Sequence, residues 1–421
     1  MKAKIINILY HLPIYEYIWN NERPEINWDI SDGSWVGIWR GDFPDQLGSE
    51  ILKLTKEFEY EVWQPDLRAD RIYSHRFNDG ILHRKFPALY RKKILGIKFL
   101  KILESPEIIN TLHKEKKMYK TIIHLNSDPT IFLNSRIIST FGNLPIINSF
   151  HGVFLSPKAE LYKLRKNFFT TIGYFYKYRD LKGNLTNIDL ITYQNNKHVE
   201  YLKSINYKGQ IERITMGCDF NFWVHGNKEI SKKEFNVVSN TMVFSMASRF
   251  NNLKQIDKVI DVFTEIDKNG DYNFILLIAG RGNKEYEEYL INVSRELSRK
   301  GKLRFTGYLR GTEMLKLYQA SDFFISASIM EGCSVSVIKA LACEVPILST
   351  KVGGTYELMK QHGAGKFIET QDYENWKTEL GKILSGERIK VMDRKIAKDY
   401  FHWPNIASKF INIYNKLAEL R

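Results

Sequence analysis

Five residues apart, Arg249 and Lys254 bracket the segment RFNNLK, which follows the apolar run TMVFSMAS and opens the amphipathic stretch LKQIDKVIDVFTEI. A strand ending just before Arg249 and a helix starting near Lys254 put two cations where both can face one anion. Two fixed cations so placed suit an anionic ligand. Glu331 opens a second polar segment, EGCSVSVIKALAC, in which Ser334 stands at the expected cap of a helix. In the first half, His151 and Gly152 end the apolar run of NSFHGVF, and His124 and Asn126 end that of IIHLNSD. Cys333 has no His beside it to make it a nucleophile, so packing is its expected role.

The elements that must hold these residues follow a regular beat. From about residue 241, TMVFSMAS, NFILLIAG, LRFTG, DFFISAS and PILST alternate with helical periodicities, which predicts successive βα units in a doubly wound, mostly parallel α/β sheet. Such sheets bind ligands at the carboxyl ends of their strands. KIINILY, YEVWQP, KTIIHLN, LPIINSF and IDLITYQ predict the strands of a second α/β domain in the first half. Residues 226–240 are polar and weakly periodic and read as a linker, giving domains at 1–225 and 241–400; 401–421 reads as a terminal helix packing back toward the first domain. The irregular stretch at about 20–46 is long for a connection and holds Trp28, Trp35 and Trp39, which either stack on sugar rings or pin the loop to the core.

These segments resemble the retaining GT-B glycosyltransferases of the family 4 (glycosyl transferases group 1) type, most specifically over about 240–370. The resemblance implies two Rossmann-like domains facing across a cleft. It gives Arg249 and Lys254 the donor diphosphate, and Glu331 the hydroxyls of the transferred sugar through the loop of Gly332, Cys333, Ser334 and Val335. Tyr308 and Leu309, after Gly307, would border the nucleobase, and Gly353, Gly354 and Glu357 reproduce a G-G-x-x-E ending. His151 matches the family's His at the catalytic centre. The family's second Glu, eight residues after the first, accepts hydrogen bonds from ribose; here that position is Lys339. The exchange implies a weakened or altered donor contact, or a chain that is no longer an enzyme, unless Lys339 simply points to solvent. The family's Gly-rich first loop has its nearest counterparts at Gly41 and at Gly48, ahead of SEILKLTKEF, and His124 and Asn126 are placed on the acceptor side. Family members manage the leaving group with side chains and helix ends, so neither metal nor cofactor is expected beyond the nucleotide-sugar co-substrate.

Composition limits the alternatives. With 421 residues, 43% hydrophobic and 26% charged, the chain is neither disordered nor fibrous and is long enough for two or three domains. Three cysteines without C-x-x-C spacing argue against a disulfide framework or a cysteine-rich zinc site. The absence of an apolar run of about 18 to 20 residues and of a cleavable leader predicts a cytoplasmic protein. The formal charge of +14 is uneven: residues 81–120 carry 11 basic against 3 acidic groups and residues 151–183 carry 7 against 2, while residues 1–80 are net acidic. Both basic windows are also rich in apolar residues. If 91–103 is a helix, Arg91, Lys98 and Lys101 share one side beside Leu95, Phe99, Ile102 and Leu103, a pattern suited to peripheral docking on an anionic inner membrane face. No nucleic-acid recognition motif accompanies the charge, so no such partner is expected. The leading expectation is a retaining glycosyltransferase that passes a sugar to a glycan or lipid-linked acceptor in bacterial surface polysaccharide or glycolipid synthesis. The alternative is a catalytically silent subunit of that fold which binds a partner or glycan.

Overall fold

A computed structural model describes residues 2–9, 43–67, 69–92, 101–127, 132–152 and 183–420. Gly41, the three tryptophans at 28, 35 and 39, and nearly all of the basic window 151–183 lie outside these residues. The chain divides into two compact units, Met1–Ile214 with Trp403–Arg421, and Thr215–His402.

The first unit is built on an eight-stranded sheet. Its strands are β1 (Ala3–Ile8), β2 (Phe58–Asp66), β3 (Tyr73–Arg76), β4 (Leu82–Pro87), β7 (Lys120–Leu125), β8 (Ile146–Ser149), β9 (Leu190–Tyr193) and β10 (Gln210–Arg213), with β5 (Leu89–Lys92) and β6 (Lys101–Glu104) forming a separate pair. The order is β10-β9-β8-β7-β1-β2-β4-β3, parallel throughout except for the antiparallel edge strand β3. The five apolar runs expected as strands are β1, β2, β7, β8 and β9. β4 escaped notice because its inward side chains are basic: buried Lys85 sits 2.9 Å from Asp66, and buried His83 2.7 Å from Asp45. Only the fold supplies those partners. The helix Trp403–Leu420 belongs to this unit, where Trp403 and Phe410 pack on Phe43 and Tyr414 on Phe58.

One expectation is overturned here. The expected helix over 91–103 fails at both of its described ends, because Leu89–Lys92 pairs antiparallel with Lys101–Glu104, placing Arg91 opposite Ile102 and Lys92 opposite Lys101. Cross-strand hydrogen bonds there satisfy the backbone that a helix would have satisfied internally; Leu95, Lys98 and Phe99 lie outside the described residues. Among the described residues no helix is long and apolar enough to cross a membrane.

The second unit holds a six-stranded, all-parallel sheet. It comprises β11 (Met242–Ala247), β12 (Phe274–Ala279), β13 (Leu303–Gly307), β14 (Phe323–Ser326), β15 (Ile347–Thr350) and β16 (Lys366–Ile368), in the order β13-β12-β11-β14-β15-β16. Strands covered on both faces are continuously apolar, and all six residues of β12 are buried. Helix Ile256–Asn269 presents Ile256, Val259, Ile260, Phe263 and Ile266 to the sheet, with Phe263 packed between Phe244 and Phe274. Strand order reverses between β11 and β14, so the crevice at their carboxyl ends is where such a sheet takes a ligand.

The expected linker is part of this second unit. Residues Lys228–Glu234 form a helix capped by the Asn227 side chain; buried Ser231 bonds to Gln319, and Lys228 and Lys232 both pair with Asp322. The passage between units therefore falls at Ile214/Thr215 and not within 226–240. The polarity that suggested a linker is instead a set of side chains bonded to the body of the unit.

Candidate functional site

The reversal between β11 and β14 brings two of the expected donor residues, Lys254 and Glu331, together. After β11, the segment Ser248–Phe250 runs beside 280–282: Ser248 N–H donates to the Ala279 carbonyl and Phe250 N–H to that of Arg281. Gly280 makes this approach possible. With φ of +142°, its Cβ position would lie 1.9 Å from the Ser248 carbonyl oxygen, so no side chain fits. Between these anchored residues Arg249 is exposed. The Asn251 side chain then accepts from Leu253 N–H and starts a single 3-10 turn, Asn252–Lys254, after which Gln255 takes a left-handed conformation and the long helix begins. Lys254 thus sits in the turn ahead of the helix.

Glu331 lies beyond β14. Its Oε1 accepts hydrogen bonds from Lys254 Nζ and, at 2.9 Å, from Ser328 Oγ. Ser328 is itself fixed, since Thr350 Oγ1 donates to its carbonyl at 2.6 Å. The loop rests on the start of helix Gly353–Gln361, where Gly354 N–H donates to Gly332 carbonyl and a Cβ on Gly353 would come within 3.0 Å of Glu331 Cβ. Ser248, Lys254, Ser326, Ser328, Glu331 and Ser336 supply the polar lining of a small recess at the carboxyl ends of β11 and β14. Among the described residues no three His, Cys, Asp or Glu side chains gather as a metal site requires.

Several expected residues do something else. Ser334 occupies the cap position of helix Val335–Ala342, but its hydroxyl meets Ser336 Oγ at 3.1 Å and makes no cap bond. Cys333 and Leu309 pack into or against the hydrophobic core. Tyr308 is exposed, with the Arg310 guanidinium 5.2 Å from its ring centroid. Lys339 does not point into open solvent: its Nζ stands 4.5 Å from the centroid of the Trp223 ring. Burial lowers its pKa, and the nearby thiols of Cys218 and Cys343 oppose that shift. Of the polar residues framing the recess, Ser248, Ser326, Ser328, Ser336 and Thr350 escaped the sequence reading; each stands at or just past a strand's carboxyl end or in a helix's first turn, the one signal that could have found them.

In the first unit, the carboxyl ends of β1, β7, β8 and β9 carry a polar network. Asn126 Nδ2 donates to Asn7 Oδ1 and to the His124 carbonyl, which turns its Oδ1 toward His151 Nε2 at 3.2 Å. Gln194 Nε2 meets His151 Nδ1 at 3.1 Å. His151 is therefore held by both ring nitrogens, with the proton on Nε2. His124, expected on the acceptor side, cannot reach a ligand. It is fully buried, its Nδ1 is 2.7 Å from Tyr414 Oη and its Nε2 is 2.6 Å from Ser149 Oγ. Burial, with the nearby His151, pushes its pKa down to about 3, so it is a neutral packing residue.

The whole chain shares its fold with solved glycosyltransferases. Sucrose-phosphate synthase of Thermosynechococcus elongatus superposes with a TM-score of 0.71 at 15% identity, covering all of both chains. Anabaena HepE, solved in complex with UDP-glucose, superposes with a TM-score of 0.63 at 15% identity, covering 98% of this chain and 99% of that one. The fold is GT-B. Residues 227–399 match the family described as glycosyl transferases group 1. Its curated relatives include the D-inositol 3-phosphate glycosyltransferase of Corynebacterium urealyticum, 22% identical over 51% of this chain and 53% of the relative. An uncharacterized glycosyltransferase of Methanocaldococcus jannaschii is 28% identical over 69% of this chain and 67% of the relative. The chain spans about half the length of most such relatives, or less, as the 39%, 53% and 51% covered in three of them show.

Proposed function

We propose that this protein is a retaining glycosyltransferase of the family 4 type, which moves a sugar from a nucleoside diphosphate sugar to an acceptor hydroxyl. The observation that carries this reading is the recess at the β11/β14 reversal, where Lys254, Glu331 and Ser328 converge beside exposed Arg249. Arg249 and Lys254 hold the diphosphate, and the backbone of Gly332, Cys333, Ser334 and Val335 borders it at a helix N-terminus. Glu331 takes sugar hydroxyls, Tyr308 and the backbone of Leu309 border the base, and Lys339 lies toward the ribose. His151 is the first unit's contribution to orienting the sugar. Because these groups supply the positive charge, the reading calls on neither metal nor cofactor. For the acceptor we propose a glycan or lipid-linked hydroxyl in surface polysaccharide or glycolipid synthesis, with the basic windows 81–120 and 151–183 favouring attachment to an anionic membrane face.

Arg249→Ala and Glu331→Ala should each abolish transfer from the donor while leaving the unfolding midpoint near that of the parent; full activity in both would sink the site assignment. A second reading, a catalytically silent subunit, draws on Lys339, a cation resting on Trp223 where the resemblance places a ribose-binding carboxylate. It predicts that the folded protein binds no nucleotide sugar.

A further inference from the structure

The two charged groups assigned to opposite ends of the donor hold each other in the structure. Lys254 Nζ, the cation for the diphosphate, is bonded to Glu331 Oε1, the carboxylate for the sugar, and both side chains are largely buried, with 21% and 16% of their surface exposed. Oε1 also accepts from Ser328 Oγ, whereas no described residue bonds to Oε2. A ligand with both a phosphate and sugar hydroxyls can satisfy both groups when it separates them. A free nucleoside diphosphate cannot: it takes Lys254 and leaves a largely buried carboxylate, without its counter-ion, beside added negative charge. Removing one partner of such a pair is far costlier than exchanging it for another.

We infer that the Lys254–Glu331 pair makes the site discriminate intact nucleoside diphosphate sugar from the nucleoside diphosphate product, with Ser328 as the positioning residue that keeps Glu331 aimed when Lys254 changes partner. The inference rests on the proposed function and deepens it. Once the sugar has gone to the acceptor, Glu331 loses its hydroxyl partners and draws Lys254 back, which loosens the remaining diphosphate. Ser328 serves both states because its bond to Oε1 does not depend on the ammonium, and the Thr350 bond to its carbonyl keeps it in register.

The test is calorimetric titration of the full chain and its Glu331→Gln variant with UDP, GDP and dTDP and with the corresponding glucose- or mannose-bearing donors. The substitution keeps the shape of the side chain and frees Lys254. The variant should bind the preferred nucleoside diphosphate roughly five- to tenfold tighter than the parent does, and should lose the parent's preference for the sugar-bearing form. The gain should vanish when Lys254→Met is added to Glu331→Gln, which separates release of the ammonium from a general change in the site. Ser328→Ala should weaken the sugar-bearing donor and leave the free diphosphate unaffected, a split that simple loss of packing would not produce. Unchanged or weaker binding of the diphosphate by Glu331→Gln overturns the inference while leaving the function standing. Failure of parent and variant alike to bind any of these nucleotides overturns the proposed function, and the inference with it.

Discussion

Acidification should loosen the first unit through one residue. His124 is fully buried between Ser149 on β8 and Tyr414 on the terminal helix, and its folded pKa is pushed down to about 3. In the unfolded chain its pKa is near 6.5. Between these values the unfolded state binds a proton that the folded state refuses, so stability is fully present above about pH 6.5 and is lost progressively as pH falls toward 3. From pH 7 to pH 5 the linkage amounts to about 2 kcal/mol for this one group. His198 also has its pKa lowered by burial and adds loss of the same sign. Urea unfolding at a series of pH values, read from the tryptophan and tyrosine signal, would compare the parent with His124→Gln. The variant starts less stable, having lost two buried hydrogen-bond contacts, yet its stability should fall by about 2 kcal/mol less over that interval. Equal pH slopes in the two proteins would refute the assignment of His124 as a neutral packing residue.

Further predictions concern the second unit. Gly280→Ala forces a side chain into a position 1.9 Å from the Ser248 carbonyl oxygen at φ of +142°, so denaturant unfolding should show a loss of roughly 2 to 5 kcal/mol; a neutral result would contradict the close approach that places Arg249. Lys339→Met should raise the melting midpoint at neutral pH, because burial disfavours the ammonium. The advantage should shrink as pH climbs toward the free lysine value of 10.5, since the folded state sheds its proton first. A lower midpoint would mean that the contact with Trp223 outweighs the loss of hydration.

Apolar patterning made most of the sheet legible. All the runs expected as strands in the second half, from TMVFSMAS to PILST, are strands, because a parallel sheet covered on both faces needs continuous apolar residues, and that need is visible in the chain itself. What stayed hidden depends on partners distant in sequence. β4 reads as a polar loop until Asp66 and Asp45 neutralise Lys85 and His83. The helix at Lys228–Glu234 reads as a linker until Asp322 and Gln319 appear beside it. The site was legible in the same measure: the family resemblance assigns Lys254 and Glu331 to one donor and the fold pairs them, while Ser328, which bonds to Glu331, belongs to no motif that would announce it. His124 shows the converse, since a histidine near a strand's carboxyl end looks functional until it is found fully buried between Ser149 and Tyr414.

The central claim is that the recess at the end of β11 and β14 takes a nucleoside diphosphate sugar. Calorimetric titration of the folded protein with UDP-, GDP- and dTDP-sugars tests it most directly, with Arg249→Ala as the control. The account predicts saturable binding of at least one donor, lost in the variant; a folded protein that binds none of them, or a variant that binds as the parent does, would contradict it.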